Sequence, residues 1–185
     1  MNIVDLGFKA SPFPHLVMED VLSDDDYNEL SGHWEDATRM EGIRNHLKEN
    51  RIPAIDFRWK PELAGRLKAI FGVDGAISTG RYMLRREGYE LKPHLDPPNT
   101  LLTVIHYLPL AGSDESLGTV LYEAAEPLAC TRPGANYFEC ACTPAKRVMA
   151  RRNSLLAFLN TPLSAHGLPR LPEARLAFQW HILET

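Results

Sequence analysis

His94 and Asp96 stand two positions apart, His166 lies far downstream, and Arg175 follows nine residues later. Two imidazoles and one carboxylate make a three-ligand set suited to non-haem iron(II), with coordination positions left open for chemistry. Residues i and i+2 of a strand project to one face, so His94 and Asp96 could reach one ion from the end of a single strand while Leu95 packs the other way. Pro97-Pro98 would end that strand, because proline cannot donate to a ladder. His166 must then come from a different strand. Arg175 is followed by Leu176, Ala177, Phe178 and Trp180. It reads as part of a buried strand, where an unpaired charge is costly.

The elements that must position these residues fall into two regions. Residues 1–75 read as an extended segment plus helices. Ser23 before Asp24, Asp25 and Asp26 is a helix N-cap with an acidic first turn, and this helix is expected to run to about Trp34. Pro61 and Gly72 bracket a second helix whose apolar stripe is Leu63, Leu67, Ile70 and Phe71. From residue 76 the helical period disappears. Strand-like runs recur at 78–86, 90–95, 101–108, 118–123, 135–141, 146–149 with 154–159 as a hairpin-coupled pair, 164–168 and 175–183. Many short antiparallel strands with Gly, Pro and Asn turns predict a mainly β fold, a sandwich or barrel of which a jelly roll is one form. A single domain over 1–185 is expected, with 1–75 as helical support and 76–185 as the barrel core.

Composition narrows the function classes. The net charge of -4 gives no electrostatic footprint for nucleic acid or for an anionic membrane. No apolar run approaches the ~20 residues of a membrane span, and Met1 to Asp5 carries no signal-peptide pattern. Three cysteines, Cys130, Cys140 and Cys142, suggest reduced thiols and a cytoplasmic setting. Cys140 and Cys142 share a strand face, but two thiols are a poor metal site.

The chain resembles the 2-oxoglutarate- and iron(II)-dependent oxygenases, in particular the prolyl-hydroxylase-like branch. The resemblance covers about 78–183 and the segment Pro12-Phe13-Pro14-His15-Leu16-Val17. Arg81-Tyr82 through Gly88 to His94-Leu95-Asp96 is similar to the family's Tyr…Gly…His-x-Asp strand pair. Thr103 to Leu108 resembles its third strand. Leu117 to Tyr122 takes the place of its Gly-Gly-x-Leu strand, with Leu117 for the first Gly and Val120 for the Leu. Ser154 to Phe158 with Asn160 to Gly167 resembles the hairpin and second-histidine strand. Arg175 to Trp180 resembles the final strand.

The resemblance implies a double-stranded β-helix (jelly roll, cupin-like) in which His94, Asp96 and His166 bind Fe(II). 2-Oxoglutarate would chelate the iron, and Arg175 would pair with its 5-carboxylate through a two-pronged bond. Tyr107 would support that carboxylate, Thr103 would line the pocket on the same strand face, and Tyr82 would face the other end of the co-substrate. O2 would take the last position, giving succinate, carbon dioxide and a hydroxylated small molecule or amino-acid side chain. Ascorbate would be supportive. The chain length leaves no room for a peptide-docking domain, which leans toward a small molecule.

Two other readings stay open from sequence: a 2-oxoglutarate-independent iron oxidase in which Arg175 holds the substrate's own carboxylate, and a cupin-like sensor without turnover. Asp96 speaks against a halogenase, since related halogenases put a small residue there. His106 and His181 read as structural; His15, His33 and His46 read as surface residues. Lys146-Arg147 and Arg151-Arg152 read as a solvated turn. One of Arg81, Arg85 and Arg86 could meet an acidic substrate, and Asn99 with segment 37–52 could form a substrate rim.

Overall fold

The computed structural model describes residues 7–41, 49–53, 56–110, 112–128, 136–137 and 142–185. The elements in chain order are β1 (Phe8–Lys9), β2 (His15–Met18), α1 (Asp24–Glu41), β3 (Glu49–Pro53), α2 (Lys60–Phe71), β4 (Ala76–Ile77), β5 (Arg81–Arg85), β6 (Leu91–Leu95) and β7 (Thr100–Tyr107). They continue with β8 (Val120–Ala124), β9 (Asn136–Tyr137), β10 (Cys142–Arg147), β11 (Ser154–Leu159), β12 (His166–Leu168) and β13 (Arg175–Leu183). The major sheet is ordered β1-β2-β11-β7-β13-β5-β3, with β4 also on β13; the minor sheet is ordered β10-β8-β12-β6-β9. β5, β7, β11 and β13 lie in the major sheet while β6, β8 and β12 lie in the minor one. The fold is therefore mainly β, a jelly roll with helices added to one face.

Strand alternation divides the major sheet into two chemical faces. On β13, Leu176, Phe178, Trp180 and Ile182 join a core with Leu30, Phe57, Leu63 and Leu67 from the helical region. Phe178 sits edge-on to Phe57 at 5.4 Å between ring centroids. Between the sheets, Ile105, Tyr107, Phe158 and Ala177 pack with Leu121 of the minor sheet. Truncating Phe178 to alanine would cost about 3–5 kcal/mol by the behaviour of buried aromatics.

The helices follow their sequence signals closely at three of four ends. Ser23 Oγ accepts from the Asp26 N–H at 3.2 Å, and α2 stops at Gly72 in the left-handed conformation (φ 66°). α1 continues past Trp34 to Glu41, because no proline or other stop signal lies between them. Two further expectations fail. Segments 146–149 and 154–159 do not form a hairpin: 146–147 end β10, which pairs with β8, whereas β11 pairs with β2 and β7. His15 is fully buried; its Nδ1 bonds the Phe13 carbonyl at 2.8 Å and its Nε2 meets Lys146 Nζ at 3.1 Å. His33 is partly buried against Phe57 and Tyr82. His46, Cys130 and Cys140 lie outside the described residues.

His106 points into the helix-side core, beside Trp59 at 5.1 Å and Trp180 at 6.4 Å. Burial pushes its pKa down to about 3, so the ring is neutral. The folded protein then binds this proton less tightly than the unfolded chain. The associated stability is present above the unfolded histidine pKa of about 6.5 and is lost as pH falls toward about 3, by ~1.4 kcal/mol per pH unit at most. In the metal-free protein His106→Phe should flatten the fall in unfolding free energy between about pH 6 and about pH 4. His15, His94 and His181 are displaced in the same direction, so part of the fall will remain. Urea unfolding at a series of pH values measures the slope; an unchanged slope would show that His106 does not contribute.

Candidate active site

His94 is the fourth residue of β6, Asp96 follows that strand, and His166 opens β12. The ladder pairs His166 with His94 across the two strands, and the rings lie 4.3 Å apart between centroids. A side chain at position 167 would put its Cβ 2.4 Å from the Leu91 carbonyl oxygen, so Gly167 is what lets β12 lie this close to β6. One donor atom from each of His94, Asp96 and His166 lies within 4.8 Å of the others, and all three residues are buried.

Each imidazole is oriented from its own strand. His94 Nδ1 bonds the Lys92 carbonyl at 3.0 Å, and His166 Nδ1 bonds the Ser164 carbonyl at 3.1 Å. A carbonyl accepts, so both rings carry the proton on Nδ1 and present an Nε2 lone pair. Burial, with the neighbouring His166, lowers the His94 pKa to about 4, which keeps it a neutral ligand. Burial alone would raise the Asp96 carboxyl, but His166, His94, His181 and the Thr103 hydroxyl together hold the group below its usual range. Thr103 Oγ1 donates to Asp96 Oδ2. Two aimed Nε2 atoms and one ionised carboxylate fit a divalent metal of the iron type.

The three residues open onto a cavity of about 790 Å³ whose lining includes Arg175, Thr119, Arg85 and His181. Arg175 is 4% exposed. Its Nη2 donates to Thr119 Oγ1 at 3.2 Å, while Nε and Nη1 have no hydrogen-bond partner among the described residues. The guanidinium also lies 5.1 Å from the centroid of the Tyr107 ring. Burial lowers the Arg175 pKa to about 10, with the nearby Arg85 charge adding to it, so the group stays cationic at neutral pH. A buried guanidinium with open donors suits an anionic ligand.

The other expected site residues are redistributed. The Tyr107 hydroxyl donates to Thr119 Oγ1 at 3.0 Å and accepts the Thr119 N–H at 3.3 Å. Thr119, which sequence reasoning passed over, lines the cavity and receives both Tyr107 and Arg175. Its own hydroxyl hydrogen remains for a ligand. Its parity with Leu121, an inward residue, was the available signal. Thr103 does not line the cavity; it grips the Asp96 carboxylate. Tyr82, expected to face one end of the co-substrate, does not line the cavity. It shares strand parity with Leu84, lies in the helix-side core, and donates its hydroxyl to the Leu30 carbonyl at 2.6 Å. Arg81, Met83 and Arg85 are the residues of β5 that line the cavity. His181 is not merely structural: it lines the cavity, close enough for Asp96 to act on its titration, and its Nε2 meets the Gln179 side-chain amide at 3.1 Å. Asn99 and Arg51 also line it.

No protein-family model and no curated sequence matches the chain. Solved structures do. HygX from Streptomyces hygroscopicus, with nickel and 2-oxoglutarate bound, aligns over 99% of this chain and 85% of its own at 16% identity and a TM-score of 0.60. HygX with nickel, 2-oxoglutarate and hygromycin B aligns over 92% and 83% at 16% identity and a TM-score of 0.58. The prolyl hydroxylase of Trichoplax adhaerens, in complex with a hypoxia-inducible-factor peptide fragment, aligns over 92% and 83% at 12% identity and a TM-score of 0.58. The chain shares the fold of these oxygenase structures.

If Thr103 orients Asp96, Thr103→Val should weaken divalent-metal binding by about 10–100-fold, while Thr103→Ser stays close to the parent. Titration of Mn(II) into the metal-free variants measures this.

Proposed function

We propose that the chain, jelly-roll core and helical region together, is a non-haem iron(II)- and 2-oxoglutarate-dependent dioxygenase that hydroxylates an organic substrate. The observation that carries this reading is the pairing of two features in one cavity: a buried His94–Asp96–His166 donor set and a buried, cationic Arg175 with two nitrogens unpartnered among the described residues. The donor set alone would suit many metal proteins. The arginine adds a receptor for a carboxylate, the chemistry that a dicarboxylic co-substrate requires. The fold shared with structures holding nickel and 2-oxoglutarate supports the same reading.

With iron(II), 2-oxoglutarate and O2 bound, the centre would couple oxidation of the co-substrate to succinate and carbon dioxide with insertion of one oxygen atom into a substrate C–H bond. The protein's part is to bind, orient and keep the site dry. His94, Asp96 and His166 would hold the metal, and Thr103 would keep the carboxylate from swinging. Arg175 and Thr119 would hold the distal carboxylate, with Tyr107 bracing Thr119. Ile105 and Leu168 contribute apolar cavity wall, which limits water around these charges. The substrate is a small molecule or an amino-acid side chain. The HygX structure with hygromycin B and the Trichoplax structure with a peptide each support one of these. A cytoplasmic setting accords with the thiol content.

His94→Ala, Asp96→Ala and His166→Ala should each abolish succinate formation while leaving the fold intact, since three ligands leave too little chelation once one is lost. A screen of metabolites and peptides that reads out succinate tests the reaction. If all three variants stayed fully active, the donor set would have no part in the chemistry.

Arg175→Ala should leave metal affinity nearly unchanged and weaken 2-oxoglutarate by roughly 2–5 kcal/mol, the range for truncating one partner of a buried charge pair. Arg175→Lys should recover only part, because an ammonium lacks the fork. Tyr107→Phe should cost less, about 0.5–1.5 kcal/mol, because Thr119 stands between it and the ligand. Calorimetric titration of 2-oxoglutarate into anaerobic Mn(II) protein measures all three. An unchanged dissociation constant in Arg175→Ala would favour the metal-binding sensor.

A further inference from the structure

Gln179 and His181 have no task in the reading above, yet both line the cavity. The β7–β13 ladder pairs His181 with Thr103, the residue that grips Asp96. The donor set is therefore held at the level of His181, whereas Arg175 stands further back along the same strand face, past Gln179 and Ala177. A co-substrate that reaches from the metal toward Arg175 leaves the His181 end of the cavity to another occupant. His181 is fixed there by Ser78: its N–H donates to Ser78 Oγ at 2.8 Å, and its carbonyl accepts the Ser78 N–H at 2.9 Å. Gln179 Nε2 lies 3.1 Å from His181 Nε2, and an amide nitrogen can only donate, so the imidazole accepts there. The ring proton is then on Nδ1, which has no hydrogen-bond partner among the described residues. Burial lowers the His181 pKa against the pull of Asp96, and the Arg81 charge adds to the lowering, so the ring is a neutral donor. Arg81 stands opposite Gln179 in the β5–β13 ladder and lines the same cavity. The acids of the described lining are Asp96, which belongs to the donor set, and Glu90, which pairs with Lys92 at 3.0 Å.

We propose that Gln179 and His181 form the substrate subsite of this cavity and that the substrate they take is a small organic acid, held by its carboxylate. The inference rests on the function proposed above. The Nδ1–H of His181 and the second amide N–H of Gln179 are donors, and the Arg81 charge is felt at the same place. Their complement is a group that accepts hydrogen bonds and carries negative charge. An apolar substrate face would cover these donors and leave them without partners, which is costly in a buried site. Gln179 and His181 are therefore specificity-determining residues: they decide which substrate is held beside the donor set.

The test is the Mn(II)-enhanced proton relaxation of acetate, and separately of its neutral isostere acetamide, in the anaerobic full chain loaded with Mn(II) and saturating 2-oxoglutarate. Saturation keeps the Arg175 end filled. The parent should relax the acetate methyl protons in a saturable manner and those of acetamide far less. His181→Phe and Gln179→Leu should each weaken acetate by roughly tenfold or more, the fold-change for losing a hydrogen bond to a charged group. His181→Gln, which keeps an N–H, should recover part of the loss. Mn(II) and 2-oxoglutarate affinities, titrated in the same variants, should stay near those of the parent. The inference is overturned if the parent shows no saturable acetate relaxation, if it takes acetamide as well as acetate, or if acetate binding survives in both His181→Phe and Gln179→Leu. A loss of acetate matched by a loss of Mn(II) also overturns it, because that marks a role in holding the donor set. If the parent binds Mn(II) but no 2-oxoglutarate, it is the proposed function that falls.

Discussion

The pairing of β13 with β7 and β5 is the constraint on which the rest depends. Three central strands of the major sheet carry apolar residues at one parity and cavity residues at the other. Leu176, Phe178, Trp180 and Ile182 face the helices; Arg175, Gln179 and His181 line the cavity. A slip of one residue would send the arginine into the Phe57–Trp59 core and the large aromatics into the cavity. The hydrophobic core under α1 and α2 therefore does more than stabilise. By making only one register tolerable, it fixes where the charges go.

Those charges are expensive to bury, and the structure handles the two signs differently. Asp96 has its compensation within the protein: two imidazoles nearby and a hydroxyl from Thr103. Among the described residues Arg175 has Thr119 and Tyr107 beside it, while the Arg85 charge opposes its own. A cation left in this condition is tolerated at a binding site where a ligand completes it, and would be selected against in an ordinary core. The asymmetry marks the arginine end of the cavity as the place where the protein is incomplete by itself.

Much of this was legible in the chain. The His-x-Asp spacing, the strand-like runs from residue 76 and the apolar residues after Arg175 all report local periodicity, and local periodicity is what a single sequence exposes. Helix α2 was legible for the same reason, from Pro61 and Gly72. The misreadings are of another kind. Motif similarity puts Tyr82 at the co-substrate, whereas its parity with Leu84 places it in the helix-side core. Thr119 and His181 matter because of what other strands bring to them, and no spacing within their own segments reveals that. His15 reads as a surface residue because nothing local announces that β2 pairs with β11. Pairing between distant strands is the information a single chain conceals, and 146–159 failed as a hairpin on the same ground.

The His94–Asp96–His166 donor set shows where the local and the long-range parts meet. In both histidines Nδ1 binds a carbonyl two residues earlier, at Lys92 and at Ser164. Extended backbone and a histidine suffice for that, so the aim of each Nε2 is set within its own strand. The same bond at His15 and Phe13 belongs to no donor set among the described residues, and the His15 Nε2 meets Lys146 instead. Orientation alone is therefore not the discriminating feature. Convergence is, and Asp96 supplies it: the carboxylate follows β6 of the minor sheet, while the hydroxyl that holds it comes from Thr103 on β7 of the major sheet. The three donors therefore lie together on the minor sheet, and docking of the major sheet adds the hydroxyl that holds the Asp96 carboxylate. A metal bound there is coupled to sheet docking through Thr103.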